Sequence, residues 1–148
     1  MAGQSTKATV RFAGDDLFIA VSPSGHAITL DTNHERSSAP SPVELLLLAL
    51  GSCTGIDVVS ILQKKRMKVT DYRMEISGER RDEHPRSYRT MSVHHILTGR
   101  GLSHRAVEQA IELSATKYCS VAATLRPTVE IHSSFEIIEE AEDTDRSS

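Results

Sequence analysis

The stretch Ser41-Pro42-Val43-Glu44-Leu45-Leu46-Leu47-Leu48-Ala49-Leu50-Gly51-Ser52-Cys53-Thr54-Gly55-Ile56-Asp57-Val58-Val59-Ser60-Ile61-Leu62-Gln63-Lys64-Lys65 decides the fold. It opens with the signals of a helix start: Ser41 as N-cap, Pro42 where its missing N–H costs nothing, and Glu44 closing a capping box. Its apolar residues surround the helix instead of forming one stripe, and a helix apolar all round is buried on most sides. In so short a chain that describes a central helix wrapped by sheet or by a second subunit. Gly51 and Gly55 each cost such a helix about 1 kcal/mol against Ala. A cost of that kind points to close backbone packing or to a functional site.

Working outward, Ala8 to Phe12 and Leu17 to Val21 read as strands joined at the hairpin signal Gly14-Asp15-Asp16, and His26 to Leu30 as a third strand. Residues 31–41 form a polar loop. Beyond the helix, Val69 to Arg80 alternates apolar and polar side chains as a half-buried strand, and Tyr88 to Gly99 is its partner. A second helix starts near Ser103, carries Ala106, Val107, Ala110, Ile111, Ser114 and Tyr118 on one face, and ends close to Cys119. A last strand covers Thr128 to Ile138. Residues 1–6 and the acidic residues 139–148 are expected to be disordered tails. The order β-β-β-α-β-β-α-β is an α+β layout, expected as a single domain over 1–148.

At 148 residues and 16.3 kDa, with 39% hydrophobic and 25% charged side chains, the chain has size and composition for its own core. The net charge of −3, the 4% aromatic content and the absence of Trp argue against a nucleic-acid surface. The first ten residues do not resemble a secretory leader, and the apolar run Leu45 to Ile56 falls short of the ~20 residues a bilayer requires. With two cysteines and no CxxC pair, a cytoplasmic protein with no membrane partner is expected.

Cys53 and Cys119 are the candidate chemical groups. Each can be read as a packed core thiol or as half of a redox pair. Asp57, one helical turn beyond Cys53, raises rather than lowers a neighbouring thiol's pKa. The N-terminus of the same helix is too distant to assist, so an activating cation must come from elsewhere in the fold. His94 and His95 point to opposite faces of a strand, and no HxH, HxxxH or HExxH spacing occurs, so no metal is expected. No phosphate loop, dinucleotide fingerprint or GxSxG elbow is present.

Ser24-Gly25-His26, Ala39-Pro40-Ser41-Pro42-Val43-Glu44-Leu45, Gly51-Ser52-Cys53 and Lys117-Tyr118-Cys119-Ser120-Val121-Ala122 resemble the OsmC/Ohr family, and the run from Gly51 to Lys64 resembles its YhfA-like branch. The resemblance spans Ala8 to Ile138. It implies an intertwined homodimer with sites at the subunit interface and a two-Cys peroxidase reducing organic hydroperoxides in oxidative-stress defence. Cys53 would then be the peroxidatic thiolate and Cys119 the resolving thiol, with a small peroxide substrate, an external dithiol reductant and no cofactor. The alternatives are a non-enzymatic dimer that binds a small apolar ligand or senses oxidants through its thiols, and a different thiol-dependent enzyme on the same scaffold. The sequence departs from the peroxidase pattern at two places. Val43 stands ten residues before Cys53, where that pattern has Glu, and Glu44 falls one position late. No Arg occupies the first hairpin turn, leaving Arg11 and Arg36 as substitutes.

Overall fold

The computed structural model describes residues 3 and 5–141. Its elements are β1 (Thr9–Gly14), β2 (Leu17–Val21), β3 (Ala27–Asp31), α1 (Pro42–Lys64), β4 (Val69–Arg80), β5 (Tyr88–Gly99), α2 (His104–Leu113), a π-helical turn (Ser114–Tyr118), α3 (Ser120–Leu125) and β6 (Glu130–Glu139). The chain forms two compact units that divide between Leu46 and Leu47, inside α1.

The first unit is an antiparallel sheet in the order β1-β2-β3. Asp15 and Asp16 both take left-handed backbone angles, φ 50° and 61°, the turn that suits the right-handed twist of a hairpin. Buried Asp31 organises the polar loop that follows. Its carboxylate accepts from Arg36 Nε at 2.8 Å and Nη2 at 2.9 Å, from Ser38 N and Oγ, and from Asn33 N. The Arg36 guanidinium holds the Asp31 carboxyl far below the usual carboxylate range. Arg36 also donates to the side chain and backbone of Asp15. At the start of α1 the Glu44 half of the expected capping box is present: the Glu44 carboxylate accepts the Ser41 N–H at 2.6 Å.

In the second unit β5 lies between β4, its antiparallel partner, and β6, its parallel one. A parallel pair needs a long crossover, and α2, the π-helical turn and α3 supply it. Met91, Val93, His95 and Leu97 of β5 are fully buried. Val58 and Leu62 of α1 join Leu97, Leu102, Ala106, Val107, Ala110 and Ile111 in the core. The glycines of α1 mark a close approach to β4. A Cβ on Gly51 would stand 2.5 Å from Ile76 Cδ1, and one on Gly55 2.5 Å from Met74 Cε.

Four expectations change. The crossover holds a third helix, α3, which carries no conventional start signal because Cys119 rather than Ser, Thr, Asp or Asn is its N-cap. Tyr118 is 51% exposed instead of facing the core, since the π-helical turn breaks the phase of α2. The tail does not begin at residue 139: Glu139 pairs with Gly99, and Glu140 N donates to Gly99 O at 2.8 Å. Residues 1, 2, 4 and 142–148 of the expected tails lie outside the described residues. By length and composition α1 does match a membrane span, contrary to the sequence reading. Its buried residues Leu50, Gly51, Thr54, Gly55, Val58 and Leu62 are nonetheless those of a core helix, while Leu48 and Ile56 remain exposed.

Valine at position 51 must displace Ile76 from beneath the helix. Gly51→Val is expected to lower unfolding stability by about 1–3 kcal/mol, while Ser52→Ala on the exposed side stays within about 0.5 kcal/mol. Equal denaturation midpoints for the two variants would contradict the packing argument.

Candidate functional site

Cys53 sits midway along α1, half-buried, and Cys119 is buried at the start of α3. Both thiols are free. The two sulfurs and a carboxylate oxygen of Asp57 all lie within 4.8 Å of one another. The π-helical turn creates this meeting. Its wide hydrogen bond, from Cys119 N to Ser114 O at 2.9 Å, ends the α2 spiral and leaves Cys119 free to cap the next helix.

Each member of the cluster is held by others. Cys119 Sγ accepts from Ala122 N at 3.3 Å and from the Thr54 hydroxyl at 3.6 Å. Cys53 Sγ accepts from the backbone N–H groups of Val121 and Ser120. Asp57 Oδ2 accepts from the Ser114 hydroxyl at 2.8 Å. The Asp57 side opens into a cleft of about 350 Å³ walled by Ser60, Lys64, Leu113 and Tyr118.

Burial is the largest influence on Cys53 and pushes its thiol pKa up. Contact with Cys119 acts in the same direction, while the two α3 amides oppose it. No basic side chain is among these groups. The expected activating cation is not among these influences, and the amide donors of a second helix only partly offset burial. The sequence reading missed those amides because α3 itself carries no recognisable start signal. Thr54 and Ser114 went unrecognised as well: each is an ordinary hydroxyl whose role depends on the crossover path.

The substitute arginines have other surroundings. Arg36 is bound to Asp31 and Asp15, and Arg11 is an exposed residue of β1. Glu44 is engaged with Ser41 at the helix cap, which holds its pKa down. His94 and His95 do face opposite ways. His94 Nδ1 lies 2.8 Å from Ser134 Oγ, whereas His95 is fully buried with Nδ1 2.5 Å from the Tyr72 hydroxyl. Burial lowers the pKa of His95 to about 4.

A pair of adjacent free thiols, one on a core helix and the other capping a short crossover helix, defines a dithiol protein of α+β fold. The chain belongs to the OsmC family: the OsmC-like protein profile matches residues 34–134. It is similar to protein YhfA of Escherichia coli strain K12, with 46% identity over 132 residues, 89% of this chain and 98% of that protein. A hypothetical protein from Aquifex aeolicus has a similar crystal structure, with TM-score 0.83 and 32% identity over 94% of this chain and 100% of the other. The fold also matches that of an organic hydroperoxide resistance protein OsmC from Legionella pneumophila, with TM-score 0.68 and 15% identity over 92% of this chain and 99% of the other.

The balance at Cys53 has a kinetic signature. Because the thiolate is the nucleophile and the Cys53 pKa is raised, the thiolate fraction should grow roughly tenfold per pH unit across the neutral range. Iodoacetamide alkylation of Cys53 in Cys119→Ser protein is expected to follow it, still climbing at pH 8.5. A plateau reached by pH 7 would show an activating charge outweighing burial.

Proposed function

We propose that the protein is a two-cysteine thiol peroxidase acting on organic hydroperoxides, located in the cytoplasm and contributing to oxidative-stress defence. The observation that carries this reading is the adjacency of two free thiols with unequal access, Cys53 half-buried and Cys119 buried. Membership of a family whose fold is shared by a hydroperoxide resistance protein supports it.

In this reading the Cys53 thiolate attacks the terminal peroxide oxygen and the O–O bond breaks. Cys53 becomes a sulfenic acid, and the departing alkoxide takes a proton from solvent to leave as the alcohol. The Cys119 thiol then attacks the Cys53 sulfur, a disulfide forms, and the sulfenic oxygen leaves as water. An external dithiol reduces the disulfide by exchange. The α3 amides that bond Cys53 are donors to the thiolate, and the short sulfur separation makes resolution a local motion.

The reading extends to a homodimer. Leu48 is 57% and Ile56 70% exposed on α1, next to a largely apolar groove of about 520 Å³ lined by Gly55, Ile56, Val59, Tyr72 and Met74. That groove also favours a second reading, in which the chain binds a small apolar ligand or reports oxidation without turnover.

Cumene hydroperoxide consumption with excess dithiothreitol separates the readings. Wild type is expected to turn over, and Cys53→Ser to fall to the rate of the thiol alone. Cys119→Ser, in which serine remains a good N-cap, should keep the first oxidation and lose the disulfide. A Cys53→Ser rate equal to wild type would overturn the peroxidase. Ile56→Glu is expected to yield a monomeric mass by light scattering where wild type is a dimer, because a charge cannot be buried unpaired in an apolar interface. A monomeric wild type would contradict the dimer.

A further inference from the structure

We propose that Cys53, Asp57 and Cys119 form a binding site for a thiophilic divalent cation of the zinc class. This goes beyond the peroxidase reading and does not rest on it. Two sulfurs and a carboxylate oxygen converge within 4.8 Å, and they come from two separate elements, α1 and the start of α3. Metal–sulfur bonds of about 2.3 Å place two ligating sulfurs about 3.8 Å apart in a tetrahedral site. Contraction by no more than about 1.3 Å between any two ligand atoms meets that geometry.

Three further features fit a cation. Every ligand has a partner that orients it: Thr54 and Ala122 N on Cys119, the amides of Ser120 and Val121 on Cys53, and Ser114 on Asp57. Amide donors to sulfur and a hydroxyl on the carboxylate are what metal ligands use to fix their direction. Second, the cluster in its ligating form carries three negative charges, and no basic side chain acts prominently on Cys53. A divalent ion would offset the charge at the sulfurs, while Lys64 and Lys65 wall the cleft on the Asp57 side. Third, three protein ligands leave one tetrahedral position open, and the cleft on the Asp57 side brings solvent to that ligand. The same ion would withhold both thiols from oxidants, so occupancy and peroxide chemistry exclude one another.

The test is titration of reduced full-length protein with Co²⁺ under anaerobic conditions. One ion per chain is expected, with thiolate-to-cobalt charge-transfer absorption in the near ultraviolet, the visible bands of tetrahedral cobalt, and displacement by Zn²⁺. Ser114→Ala should weaken binding about 10–100-fold, the effect of losing an outer partner, and Asp57→Asn should weaken it more. Cys53→Ser and Cys119→Ser should each lose or shift the charge-transfer absorption. Absence of that absorption in reduced wild type at excess Co²⁺ would overturn the site, as would unchanged affinity in Asp57→Asn. Peroxide turnover, measured separately on metal-free protein, tests the peroxidase reading alone. An inactive protein that binds cobalt rejects only the peroxidase, and an active one that does not bind cobalt rejects only the metal site.

Discussion

The close approach of α1 to β4 is the contact on which the second unit depends. Gly51 lies over the Ile76 side chain and Gly55 over that of Met74, so a Cβ at either position would stand 2.5 Å from the nearest side-chain atom and that side chain would have to shift. The lost helix propensity, about 1 kcal/mol per glycine, is offset by packing of Leu50, Val58 and Leu62, all fully buried. The same approach sets the position of Cys53. It stands between buried Gly51 and buried Gly55, turned off the strand-facing side, so its sulfur is directed toward the crossover instead of into β4. Thr54, beside it, is buried and reaches Cys119.

The thiol pair is governed by two opposing electrostatic effects. Desolvation favours the neutral thiol, and the proximity of Cys119 adds to this. Against them act the amides of Ser120 and Val121, unpaired by helix geometry because the first turn of any helix has free N–H groups. Burial prevails, and the Cys53 pKa rises. The sulfurs thus lie close together while the surroundings of Cys53 favour its neutral thiol. Their closeness comes from the crossover: parallel pairing of β5 with β6 requires a long connection, and its π-helical turn brings Cys119 to the same place as Cys53.

Much of the fold was legible because its signals are local. Residues at α1's start, the alternation along β4 and β5, and the Asp15-Asp16 turn each act within a few positions, and the six strands and α1 appeared within a residue or two of their expected bounds, whereas α2 ends at Leu113, well short of Cys119. The thiols were legible as candidates from their scarcity and from the segments around them. What could not be read is what depends on path. A π-helical turn has no compositional mark, and Ser114-Ala115-Thr116-Lys117-Tyr118 continues an α2 pattern without interruption. Cys119 as a cap hides α3, and with α3 go the amides that bond Cys53. Asp57 was read only for its repulsion of a thiolate, since its Ser114 partner belongs to that same hidden turn.

The groups named as substitutes for the peroxidase pattern already have work of their own. Arg36 forms a two-pronged pair with Asp31, a carboxylate also bonded by Ser38 and Asn33, and donates further to Asp15. Drawing its guanidinium away would leave Asp31, a buried carboxylate, without its cation, which is a strongly unfavourable exchange. Glu44 is tied to the Ser41 amide, where a negative charge also meets the positive end of α1. Both side chains are accounted for by the loop and the cap they hold. Within the second unit, the crossover presents amide donors and a second sulfur to Cys53, and its Ser114 holds the carboxylate of Asp57 on α1.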